Sequence, residues 1–76
     1  MGITVVLSSG DFVYDTKSGD IGFLIARQVS RTHNRRNGYA LMVWRIYWCR
    51  EGETRYTEES VIKMVQSGHL ILYASN

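Results

Sequence analysis

The 76-residue chain is 45% hydrophobic and 12% aromatic, with a formal net charge of +2. A chain this short buries roughly 60–65% of the surface its unfolded form exposes, so it supplies one core and one domain. Its apolar content lies above the range in which chain ordering goes uncompensated and disorder follows. A single cysteine, Cys49, excludes an internal disulfide and a multi-thiol metal site. The longest nearly apolar stretch, Tyr39 to Cys49, is interrupted by Arg45 and falls well short of the roughly 20 residues of a membrane helix. With no basic segment leading into a signal-type apolar run, the expectation is a soluble, unexported protein that does not contact a membrane.

Taken in order, Ile3 to Leu7 is rich in β-branched residues and predicts an extended segment. Ser8-Ser9-Gly10-Asp11 turns the chain into a short strand, Phe12-Val13-Tyr14. The turn formers from Asp15 to Asp20 lead into a second strand, Ile21 to Ala26, in which Gly22 suggests a bulge or sharp bend. Ser30 to Gly38 lacks apolar periodicity and is expected as an exposed loop, closed by Asn37-Gly38. From Tyr39 to Cys49, Ala40, Met42, Trp44, Ile46 and Trp48 alternate onto one apolar face, with Trp44 and Trp48 as core anchors. A hairpin turn at Arg50 to Glu53 leads into Thr54-Arg55-Tyr56. Thr57 then caps a helix with Glu58 and Glu59 in its first turn, Val61, Ile62 and Val65 on its apolar side, and Gly68 at its end. His69 to Ala74 supplies the last strand. The expected architecture is a mainly β, small SH3-like barrel of about five antiparallel strands, with one short helix before the last strand. Residues 1–9 form an additional edge strand or an assembly arm.

Several stretches carry a resemblance: Gly10-Asp11-Phe12-Val13, Ile21-Gly22-Phe23-Leu24-Ile25, Trp44-Arg45-Ile46-Tyr47-Trp48, and Tyr56 to Val65 followed by Gly68 to Tyr73. Together they resemble small SH3-like barrel proteins of unassigned role encoded by tailed bacteriophages. The resemblance implies a barrel fold and a bacteriophage source, with a place in the virion or the host cytoplasm. It carries over no site residue.

Catalytic chemistry finds little footing in the sequence. His33 and His69 stand in separate segments and assemble no usual metal-ligand set, and Cys49, ending an aromatic strand, is expected as a partly buried, inert thiol. Asp11, Asp15 and Asp20 are accounted for by turn hydrogen bonding, Glu58 and Glu59 by the helix start, and Glu51 and Glu53 by the hairpin. The chain is therefore expected to be non-enzymatic, with no cofactor, no metal and no small-molecule substrate.

Three binding expectations remain, one of them a peptide-binding groove formed by rings such as Tyr14, Tyr47 and Tyr56. Residues 21–50 hold six Arg and no Asp or Glu, whereas the other residues hold Lys17, Arg55 and Lys63 against seven carboxylates. Arg27, Arg31, His33, Arg35 and Arg36 are thus candidate phosphate contacts for a nucleic acid. The leading expectation is instead a structural or protein-interaction module, a virion component under the resemblance, that packs against itself or another virion protein. The second, third and last strands are apolar on both faces, more than one core can bury. Ile3, Val5, Leu41, Val43 and Tyr73 are the candidate assembly surface.

Overall fold

Alternation around Trp44, Ile46 and Trp48 sets the centre of the structure, a computed structural model that describes residues 4–31 and 40–75. The elements are β1 (Phe12–Asp15), β2 (Ile21–Arg31), β3 (Ala40–Trp48), β4 (Gly52–Thr57), α1 (Glu58–Gln66) and β5 (Leu70–Tyr73). All ladders are antiparallel, and the sheet order is β4-β3-β2-β1-β5.

The sheet is open. Among the described residues β4 and β5 are its two edges and share no ladder, which overturns the expected closed SH3-like barrel. The reason lies in the connection between those edges. α1 joins β4 to β5 and packs against β3, β4 and β5, so a helix rather than edge pairing shuts the inner face. Val61 on that helix is fully buried with Val13, Leu24, Trp44, Ile46, Trp48 and Leu70. Nine residues are too few for a stable isolated helix, so this packing holds it in place. Its start is fixed locally, by the Thr57 hydroxyl accepting the Ser60 backbone N–H at 3.2 Å. Gly68, at φ +84°, takes the left-handed turn that leads into β5. No helix among the described residues is long and apolar enough to cross a membrane.

β2 runs five residues further than its apolar pattern suggests, because Arg27 to Arg31 pair with β3 as far as Ala40. The bulge also falls elsewhere: the β2–β3 register shifts between Leu24 and Ala26, around Ile25, and not at Gly22. That extra residue reverses the parity of β2. Gly22 and Leu24 face the helix before the bulge, whereas Arg27, opposite inward-facing Trp44, does so after it. Gly22 has another task. A Cβ there would lie 2.7 Å from Trp48 Cε3 and 2.8 Å from Ile46 Cγ2, so its bare backbone is the seat of the Trp48 ring.

Two buried carboxylates tie turns together. Asp11 accepts the backbone N–H groups of Ser8 (3.0 Å) and Ser75 (2.9 Å), joining the chain's two ends at the start of β1. Asp20 accepts from Ile21 (2.8 Å) and from Arg50 at 3.1 and 3.2 Å, joining the β1–β2 and β3–β4 turns. Residues 4–8 form no strand with their own sheet, although Leu7 packs against the core. Ile3 lies outside the described residues.

Replacing Gly22 with Ala presses a methyl group against the Trp48 ring and Ile46 closer than van der Waals contact allows, and the cost of overpacking is about 1–3 kcal/mol. Urea unfolding of G22A should show a lower midpoint with an unchanged slope. A variant as stable as the parent chain would contradict the close approach.

Candidate interaction face

Every strand has two faces, and the helix covers one. On the other, the register aligns Tyr73, Phe12, Phe23 and Tyr47 in a single row across β5, β1, β2 and β3. Ile71, Tyr14 and Ile21 form a second row beside it. The rings contact one another within the face. Phe12 and Tyr73 stack with centroids 5.2 Å apart and planes 16° apart, and Phe12 and Phe23 meet at 6.0 Å with a 49° tilt. Phe23, Tyr47 and Tyr73 nevertheless remain 43%, 49% and 46% exposed. Cys49, whose N–H donates to the Ile21 carbonyl at 2.9 Å, borders the second row. It is exposed, not partly buried as expected, because β3 ends at Trp48 and the thiol falls on the turn that follows.

Charged side chains stand on the β4 flank of this face. The row continues from Tyr47 to Glu53 on β4, and Glu53 pairs with Arg45 through two bonds of 2.8 and 3.2 Å. The Arg45 guanidinium holds the Glu53 carboxyl below its ordinary range. Arg55, opposite Arg45 in the ladder, completes the charged border.

The proposed assembly residues divide between surfaces. Tyr73 lies in the aromatic row, and Val43 and exposed Leu41 stand on β3, further along the β2–β3 ribbon. Val5 lies on the helix side, where it lines an open cleft of about 260 Å³ with Val6, Leu7, Arg27, Glu58 and Ile62. Missing from the sequence-based set are Phe12, Phe23 and Tyr47. Their alternation with buried Val13, Leu24, Ile46 and Trp48 was the signal that places them on the opposite face.

The proposed phosphate contacts do not gather among the described residues. Arg27 is committed to Glu58, with Nε to Oε2 at 2.8 Å and Nη2 to Oε1 at 3.0 Å. Arg31 ends β2, and its side chain, like all of His33, Arg35 and Arg36, lies outside what is described. No group of three or more His, Cys, Asp and Glu side chains is arranged for a metal ion among the described residues. His69 Nε2 instead lies 3.3 Å from Asp15 Oδ1. Burial alone would raise the Asp15 carboxyl, but backbone N–H bonds from Ser18 and Lys17, with His69 nearby, outweigh it and leave Asp15 below its ordinary value.

Glu58, which the sequence marks as a helix-start acid, links three elements. Besides Arg27 it accepts the Trp44 indole N–H at 3.0 Å, so the buried ring has its polar partner. The Arg27 bond, then the Trp44 bond, hold its carboxyl below the ordinary value of 4.5.

No protein family, curated protein or solved structure matches the chain. With the open sheet, this removes the resemblance to bacteriophage SH3-like barrel proteins, and the virion and bacteriophage expectations that rested on it. The fold and the face define a mainly β domain, helix-covered on one side and aromatic on the other.

Asp15, Glu53 and Glu58 all release their protons more readily in the folded chain than in the unfolded one. Their stabilisation is therefore present above the unfolded values near 4 and is lost as pH falls through the lower folded values. Denaturation midpoints should decline below about pH 4.5. Glu58→Gln should be less stable than the parent at pH 7, with the gap narrowing on acidification; a gap independent of pH would contradict the role of the ionised carboxylate.

Proposed function

We propose that the protein is a non-enzymatic interaction module and that the outer sheet face receives a protein partner. The observation that carries this reading is the pair of rows of aromatic and aliphatic side chains, one crossing four strands and one three, with no charged side chain inside them. The largest apolar patch of a typical monomer, about 300–600 Å², is often functional, and aromatic side chains with charge at the rim are the composition of protein interfaces. The rings also arrive already packed on one another, so little side-chain entropy remains to be lost on contact. Non-enzymatic character is supported by the work the carboxylates do within the fold: Asp11 and Asp20 hold turns, and Glu53 and Glu58 hold arginines.

Nucleic-acid binding through Arg27, Arg31, His33, Arg35 and Arg36 is the second reading. It draws on the β2–β3 ladder, which extends to Arg31 and Ala40, the two residues that flank the arginine-containing stretch 32–39 in the sequence. Two observations weaken it. Arg27 is engaged by Glu58, and Phe23 of the aromatic row lies eight residues back along β2 from Arg31, roughly 25 Å away.

A photo-reactive phenylalanine derivative at Tyr47, compared with the same group at exposed Lys63 on α1, separates the readings in cells that produce the protein. Protein adducts are expected from position 47 and not from 63, and Phe23→Asp should abolish them. Equal adducts at both sites, or nucleic-acid adducts alone, would contradict the proposal.

A further inference from the structure

Resting on that reading, we infer that the occupant of the outer face is a second copy of the chain, packed sheet to sheet about a two-fold axis. Area is the first argument. Tyr14, Ile21, Phe23, Tyr47, Ile71 and Tyr73 are each 37–49% exposed. With a whole aromatic side chain offering about 200 Å², their exposed parts amount to on the order of 500 Å². A stable pair buries about 800 Å² on each partner, of which about 65% is apolar in homodimers. The apolar share required, roughly 520 Å², is what this face offers.

Charge is the second argument. A two-fold contact sets the same patch against itself, so any net charge inside the patch would repel its own image. Both rows are uncharged from Ile71 and Tyr73 to Ile21 and Tyr47, and of the bordering charges Arg45 is paired with Glu53, leaving Arg55 on β4 outside the rows. A nucleic acid would need cations within the rows, and a strongly charged protein partner would need a complementary charge there. The neutral rows favour a neutral counterpart, and this chain supplies one.

Geometry is the third. Aligned sheets pack face to face about 10 Å apart when each presents alternating side chains from adjacent strands. Here β5, β1, β2 and the end of β3 present such a layer, while the charged border lies outside the two rows, on β4 and at Arg45 of β3. The dimer is then a four-layer arrangement: helix, sheet, sheet, helix.

Sedimentation equilibrium of the full chain over a wide concentration range tests the inference. The expected mass is twice the 8.7 kDa of one chain, falling toward one chain on dilution. Phe23→Glu with Tyr47→Glu should weaken association by at least about 100-fold, the loss expected when central aromatic anchors are charged. A second measurement does not depend on variants folding: the parent's melting temperature should rise with protein concentration, as it does whenever folding and association are linked. A strict monomer at every concentration, with a constant melting temperature, would overturn the second-copy occupant. A dimer undisturbed by the double substitution, or broken instead by Lys63→Glu on α1, would overturn the face. If the chain is monomeric while position 47 still crosslinks to a different protein, only the identity of the occupant fails; if position 47 crosslinks to nothing, the interaction reading fails with it.

Discussion

One helix can cover one face of one sheet, and the rest of this structure follows from that constraint. The inner face, from Val13 and Leu24 to Trp44, Ile46 and Trp48, is shut by α1 through Val61 and by Leu70 at the start of β5. The chain has no second helix among its described residues to lay on the outer side. A sequence that needed only water there would place Lys, Glu and Thr on that side, as it does on β4 with Glu53, Arg55 and Thr57. On β1, the first half of β2, the end of β3 and β5 it places Phe, Tyr and Ile instead. The contrast between neighbouring strands of one sheet makes the outer face a feature of composition and not a by-product of small size.

Two local devices let so small a sheet hold two large indoles. Gly22 gives up its side chain so that Trp48 can lie on β2, and the Trp48 indole N–H finds the Thr54 hydroxyl at 2.8 Å. The bulge at Ile25 then turns Arg27 toward the helix, where Glu58 joins it to the Trp44 indole. Each tryptophan is thereby buried with its one polar atom satisfied, and no buried side-chain nitrogen or oxygen among the described residues lacks a partner. The partly exposed Arg27–Glu58 pair contributes more by orienting these groups than by its Coulomb energy, which solvent screens.

Much of the fold was legible because its signals are local. Alternation marked β3, Thr57 with two glutamates marked the start of α1, and Gly68 marked its end. Closure was not legible, since pairing of β4 with β5 is a long-range event that no single residue announces. The reach of β2 was hidden by Arg27-Gln28-Val29-Ser30-Arg31, a polar run that pairs because β3 is there to pair with. The surplus of apolar residues was visible as a count, but its location required the register. Phe12, Phe23, Tyr47 and Tyr73 form a row only once β5, β1, β2 and β3 are set side by side. Arg27, one of six arginines in an acid-free segment of the sequence, is a structural cation held by Glu58.

Cys49 provides a direct view of the outer face, because the single thiol is exposed at its border. A nitroxide attached there on one population of chains relaxes the amide signals of a second, isotope-labelled population wherever the two meet. Packing between outer faces predicts intermolecular broadening concentrated on β1, the first half of β2, the second half of β3 and β5, with α1 spared. Broadening centred on α1 or on the far end of the β2–β3 ribbon, or none at concentrations where the mass is doubled, would contradict it.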